Sequence, residues 1–280
     1  MISLSSNDFD TYLDAIRNDG TRLMNDDYMG SDSRLLVWLN RGQTITITPS
    51  AFGDGTGFFQ LVVGVLPKGM TLQAGKAING TIQSGEMVIY EYTGGKAGDT
   101  INIRMVSNDF DTYLEAVGPL GLNISNDDSI GDGEFEYYSE LQYHFMEDED
   151  ITITARGYSI DSEGSYTIEI QAWDGPAIKA YAADTAVTSG DSFAAFMQGE
   201  PHDYRIMLSA GQTVTITMES TVLDSYLDVN GPNGQQWSDD DSAGGLDSQL
   251  QLTAMQDGWF TIQASSLGND TGIYTLSISE

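Results

Sequence analysis

Short alternation of apolar and Thr residues at period two runs the length of the chain. It is clearest at residues 44–48, 101–105, 151–154 and 213–218, where Thr-Ile-Thr-Ile-Thr is typical. Such alternation puts one face of an extended strand in a core and the other in water. Gly, Asn and Asp interrupt it every few residues, and the thirty-one Gly suit the turns of antiparallel hairpins. Helical periodicity is nearly absent. The pattern predicts an all-β protein.

One motif recurs within this pattern. Phe-Asp-Thr-Tyr-Leu stands at residues 9–13 and again at 110–114, and Leu-Asp-Ser-Tyr-Leu at 223–227. An acidic pair follows each copy: Asp26 and Asp27, Asp127 and Asp128, Asp240 and Asp241. From Asp10 to Asp26, Asp111 to Asp127 and Asp224 to Asp240 the gap is the same sixteen residues. A spacing kept three times ties the two acidic positions together in space. The Tyr and Leu of each motif are expected in the core or in strand pairing.

The third copy shows about eight short strands with turns between them, as a two-sheet sandwich or jelly roll requires. The expected organisation is tandem jelly-roll-like antiparallel β-sandwiches: a first repeat over residues 1–66, a second over 74–172, a linker over 173–189 and a third over 190–280. The first repeat opens at the end of the strand that precedes its motif, so its entry strands are missing. Three explanations stand: a fragment of a longer chain, a neighbouring molecule that supplies the strands, or a minimal domain.

Composition narrows the partners. Forty-two Asp and Glu against eleven Lys and Arg leave a net charge of −31, which excludes nucleic acid and anionic membranes and favours cations. With no Cys there is neither a disulfide framework nor a thiolate metal site. No stretch reaches the ~18 apolar residues of a membrane span, so no membrane insertion is expected.

The repeated carboxylates invite a hard cation. Calcium takes six to eight oxygen ligands from carboxylates, carbonyls and water. The candidate ligands are Asp10, Asp26, Asp27 and Asp32 in the first repeat, Asp111, Asp127, Asp128 and Asp132 in the second, and Asp224, Asp240, Asp241 and Asp247 in the third. The second loop also holds Glu134 and Glu136. The plainer reading is that these Asp residues serve the turns themselves, by bonding nearby backbone groups.

Trp38 and Trp259 sit in strand patterns and read as core, whereas Trp237 and Trp173 could stack on a sugar or a protein. The only histidines, His144 and His202, lack metal-ligand spacing, and there is no Gly-x-Ser-x-Gly elbow. The chain is therefore expected not to be an enzyme. Asn79, Asn123 and Asn269 open Asn-x-Ser/Thr triplets that permit glycosylation.

A longer sequence order carries a resemblance. In the third repeat it runs through residues 210–212, 223–227, Asn233 and Gly234, Asp240 and Asp241, 257–262 and 272–276. The second repeat follows it through residues 97–99, 110–114, Asp127 and Asp128, and 164–168; the first follows from Phe9 through Asp26 and Asp27 to Gly57 and Leu61. This order resembles the bacterial pre-peptidase C-terminal domain. The resemblance implies a jelly-roll-like sandwich of about a hundred residues found beside catalytic domains of secreted proteases, some of whose relatives bind calcium and some of which bind substrate. No peptidase domain accompanies the repeats here.

The leading expectation is a secreted, calcium-stabilised, non-catalytic binding or scaffolding protein, extracellular or at the cell surface, whose partner is an extracellular protein or polysaccharide. Tandem modules would multiply a weak affinity. The alternatives are a filament or surface-layer subunit that polymerises head to tail with copies of itself through the first domain, and an accessory C-terminal region of a secreted hydrolase.

Overall fold

A computed structural model describes residues 1–28, 30–120, 122–128, 138–268 and 270–280. Among these residues the protein is all-β apart from one turn of 3₁₀ helix at Pro232–Gly234. It forms two compact units, one holding the first two repeats and the other the third.

The first repeat comprises β1 (Ile2–Ser5), β2 (Thr11–Arg17), β3 (Arg22–Asn25), β4 (Ser33–Leu35), β5 (Ile45–Ala51) and β6 (Gln60–Val63). They make two three-stranded sheets, ordered β4-β1-β6 and β3-β2-β5. A short β7 (Met70–Thr71) precedes the second repeat: β8 (Ile78–Ile82), β9 (Met87–Gly95), β10 (Thr100–Val106), β11 (Thr112–Val117), β12 (Asn123–Asn126), β13 (Tyr138–His144), β14 (Glu149–Gly157) and β15 (Gly164–Ala172). Its sheets run β13-β10-β15-β8 and β12-β11-β14-β9-β7.

The third repeat is β16 (Ile178–Lys179), β17 (Thr185–Val187), β18 (Ser192–Gln198), β19 (His202–Leu208), β20 (Thr213–Glu219), β21 (Ser225–Asn230), β22 (Gln236–Asp239), β23 (Ser248–Thr253), β24 (Gly258–Ser266) and β25 (Thr271–Ser279). Its sheets run β16-β18-β25-β20-β23 and β17-β19-β24-β21-β22. The tandem sandwich architecture is thus present, with six strands common to all three repeats. β1 to β6 match β10 to β15 and β20 to β25 in order and pairing.

The repeats do not begin where composition suggested. Residues 173–189 include β16 and β17, which pair in parallel with β18 and β19. Val187 enters the third core, and the Tyr181 hydroxyl accepts the Asp203 N–H at 2.8 Å. Likewise β7 pairs in parallel with β9 and Leu72 is buried in the second core. Strands this short carry too little alternation to be read from sequence.

Each core is built from the inward residues of two sheets. The motif Leu residues, Leu13, Leu114 and Leu227, are fully buried, while Tyr12, Tyr113 and Tyr226 face the other side and are half-buried. Trp259 was expected inside and is 48% exposed, because the next residue, Phe260, takes the inward seat of β24. Arg205 covers its outer face at 5.3 Å. Trp38 is half-buried and lies outside any strand.

Within the first unit, a stack of rings and guanidinium groups joins the first two repeats. Tyr28 lies between Arg34 and Arg156, at 4.4 and 4.7 Å, and Arg156 also covers Tyr113 at 3.6 Å. Burial pushes the neighbouring Glu115 carboxyl up, and the positive charge of Arg34 and then Arg156 pulls it back.

Candidate metal site at the loop end of each sandwich

The constant sixteen-residue gap has a direct structural cause. In each repeat the motif strand forms an antiparallel hairpin with the next strand, in a fixed register: Leu13 opposite Asn25, Leu114 opposite Asn126, Leu227 opposite Asp239. The residue before one strand and the residue after the other therefore share the open end of the hairpin. Asp111 feels the charge of Asp127 there and Asp224 that of Asp240, and Asp10 and Asp26 hold the same places in the first repeat.

A serine before each motif shapes the first loop. Ser6 Oγ accepts the N–H groups of Asp8 and Phe9 and donates to the Phe58 carbonyl; Ser107 does the same for Asp109, Phe110 and Ser165, and Ser220 for Val222, Leu223 and Ile273. Inside the loop end, a buried pair of hydroxyls bridges the sheets. Thr11 bonds Ser33 at 2.6 Å, Thr112 bonds Ser139 at 2.7 Å and Ser225 bonds Ser248 at 2.6 Å. Ser33 and Ser248 are the first residues of β4 and β23, and Ser139 is the second of β13.

The second loop is organised by the residue that precedes the acidic pair. The Asn25 side chain accepts the Arg34 N–H and donates to the Asp27 carbonyl, and Asn126 repeats this with Glu140 and Asp128. Asp239 accepts the N–H groups of Ser242 and Gln249 instead. Three carboxylate oxygens of Asp239, Asp240 and Asp241 lie within 4.8 Å of one another, but those of Asp239 are occupied by the loop. Asp26 and Asp127 turn one oxygen onto the N–H of the following Asp.

The carboxylates that remain are under tension. One oxygen each of Asp10 and Asp111 is buried without a hydrogen-bond partner. Burial, then the charges of Asp128 and Asp127, push Asp111 up to about 6. Burial and the charges of Asp240, Asp270 and Asp241 raise Asp224 in the same way. Desolvated like charges of this kind favour a proton or a cation. The donor set is all oxygen, which fits a hard cation such as calcium.

The twelve predicted positions therefore divide. Asp10, Asp26 and Asp27, Asp111, Asp127 and Asp128, and Asp224, Asp240 and Asp241 share one end of their sandwiches. Asp32 and Asp247 spend an oxygen on the N–H of Ser6 and Ser220, tying the two loops together. Asp132, with Glu134, Glu136 and Asn269, lies outside the described residues. In the second repeat the place of Asp32 and Asp247, just before the bridging serine, belongs to Tyr138. Asp270 was missed because it follows a different strand, β24, by which the third loop end is closed.

Neither histidine faces this end as a base. His144 Nδ1 bonds Thr100 at 2.7 Å. His202 bonds the Tyr274 hydroxyl at 2.8 Å and stacks on Tyr181 at 3.7 Å, and burial lowers it to about 4. Of the tryptophans raised as stacking platforms, Trp237 packs on Phe260 beside the third core and Trp173 donates to the Pro176 carbonyl.

No family model matches the chain, and no curated protein matches it in sequence. Among solved structures it is similar to the CUB1-EGF-CUB2 region of human MASP-1/3, at 10% identity and a TM-score of 0.21, over 72% of this chain and 99% of that one. It is also similar to tripeptidyl peptidase 2, at 10% identity and a TM-score of 0.29, over 98% of this chain and 30% of that one.

Proposed function

We propose that the chain is a secreted, non-catalytic tandem β-sandwich protein of the pre-peptidase C-terminal kind, working outside the cell or at its surface as a binding or scaffolding module. Calcium stabilises its acidic loop ends. The observation that carries this reading is the Asp111 carboxyl, half-buried with one unpartnered oxygen and held up to about 6 beside Asp128 and Asp127. Asp111, Asp127 and Asp128 would hold the ion in the second repeat, Asp224, Asp240 and Asp241 in the third, and Asp10, Asp26 and Asp27 in the first. The ion would supply the positive charge that each end lacks. Structural roles for both histidines support the non-catalytic reading.

Calorimetry tests the reading. With a dissociation constant of ~0.1 mM, ~1 mM calcium stabilises a domain by about 1.4 kcal/mol. Calcium is expected to raise the melting temperature above that in chelator at matched ionic strength, and Asp111→Asn to remove part of the rise. In chelator alone the same variant is expected to melt higher than wild type, because it removes a repulsion. Equal melting with and without calcium would sink the proposal.

A further inference from the structure

The segment that leads into the third repeat is fastened to its sandwich by a stacked pair of rings. β16 and β17, two and three residues long, pair in parallel with β18 and β19 and extend the sheets at their edges. Between them in the chain, Tyr181 lies flat on His202, with ring centres 3.7 Å apart and planes at 5°, and its hydroxyl accepts the Asp203 N–H at 2.8 Å. The same segment holds Asp184, which at φ 60° is the one non-glycine residue with a left-handed backbone among the described residues. That conformation is sparsely populated outside glycine. A short, strained segment with few backbone bonds opens more readily than the long strands it lies on.

His202 is 6% exposed. It starts β19, opposite Ala264 of β24, and its Nδ1 is bonded at 2.8 Å to the Tyr274 hydroxyl of β25, which is bonded in turn to that of Tyr204 at 2.6 Å. The titratable groups around the ring are thus the phenols of Tyr181, Tyr204 and Tyr274 and the carboxylate of Asp203, which already accepts the Gln263 side-chain N–H at 3.0 Å. Burial lowers the imidazole to about 4, against a smaller upward pull from the Asp203 charge. A ring in such a seat stays neutral, and a proton on it favours any state that returns it to water. The π-face of Tyr181 is a weaker partner for that charge than water is. Of the ring's covers, Tyr181 is the one that lifts away without breaking a long strand.

The second repeat lacks this arrangement. Ala155, the counterpart of Ala264, is paired with Val88, so the seat of His202 is aliphatic there. Its own leading strand, β7, pairs in parallel with β9 as β17 does with β19. The molecule therefore carries one leading segment with a titratable fastening and one without.

We propose that the stack of Tyr181 on His202 is an acid-released clamp, which holds residues 178–187 on the third sandwich at neutral pH and frees them on mild acidification while the sandwich stays folded. The freed residues lengthen the tether at the start of the third repeat. The closed form excludes the proton, whereas the open form takes it at the ordinary histidine value of about 6.5. The clamp is therefore intact above that pH and weakens progressively as pH falls toward about 4. The ratio of open to closed forms rises roughly twentyfold between pH 7 and 5.

Amide hydrogen exchange of the full chain, corrected for the intrinsic rate at each pH, tests the clamp. Protection of residues 184–187 is expected to fall roughly twentyfold from pH 7 to 5. The Leu72 amide, bonded to the Glu91 carbonyl in the second repeat at 2.9 Å, and the amides of β24 are expected to keep theirs. His202→Val should hold the segment equally at both pH values, since Tyr274 retains its bond to Tyr204. Tyr181→Ala should leave it open at both. A nuclear magnetic resonance titration of the His202 ring in the folded chain reads the same equilibrium directly. Protection of residues 184–187 that does not change with pH, or a fall that persists in His202→Val, overturns the proposal. So does an equal fall at Leu72, a parallel fall across β24, which would be melting of the whole repeat, or a ring that titrates at the ordinary histidine value in the folded chain.

Discussion

The hydroxyl of the motif's third residue is the side chain whose function the sequence concealed most fully. Thr11, Thr112 and Ser225 are buried and bond Ser33, Ser139 and Ser248 across the two sheets. That pair locks the loop end that carries the carboxylates. Ser139→Ala leaves the Thr112 hydroxyl buried with a poor partner, at a cost of about 1–3 kcal/mol. The double variant with Thr112→Val removes both groups and should recover much of that loss. Thermal or urea unfolding checks both, and an additive loss in the double variant would contradict the pairing. The Ser residues at 6 and 107 that shape the first loop were visible in the repeated Ser-Asn-Asp-Phe-Asp string. Their partners were not, because Phe58 and Ser165 lie across the fold.

At the scale of elements, the alternation of apolar and polar residues located the long strands, since a half-buried strand must alternate. It did not locate β7, β16 or β17, two or three residues long, which attach as parallel edge strands. The fixed gap between acidic positions proved to be the length of a hairpin. It reports register, and the unpartnered oxygens of Asp10 and Asp111 lie where that register ends, one in each of the first two repeats. Pro49 acts at this scale as well. An edge strand that lacks one outward N–H is a weaker template for pairing. Pro49→Val restores the donor and adds β propensity, so the variant should self-associate more than wild type, as measured by sedimentation velocity. An unchanged distribution would mean that β5 is not an accessible edge.

For the whole molecule, charge and packing act in opposite directions. A net charge of −31 disfavours compaction unless cations screen it. Where positive charge is scarce, its placement matters: Arg34 and Arg156 are set around Tyr28 and Glu115, where the first two repeats join. Arg156 is buried and also donates to the carbonyls of Gly157 and Tyr158. Arg156→Ala should therefore cost the first unit about 1–3 kcal/mol. Arg205→Ala, on the exposed face of Trp259, should cost at most about 0.5–1 kcal/mol. Differential scanning calorimetry separates the two, and equal effects would show that the stack between repeats is not a structural joint.

By itself the sequence determined the class, the threefold repeat, the register-bearing motif and the acidic loop ends. Each of these is local: a two-residue period, a kept spacing, a composition. Only the tertiary structure decided which residues belong to which sheet, that Trp259 faces out while Phe260 faces in, and that Asp239 organises a loop while Asp224 feels the charges of Asp240 and Asp270. These depend on contacts between strands far apart in the chain, and whether a side chain is covered depends on its neighbours in space, which no local pattern encodes.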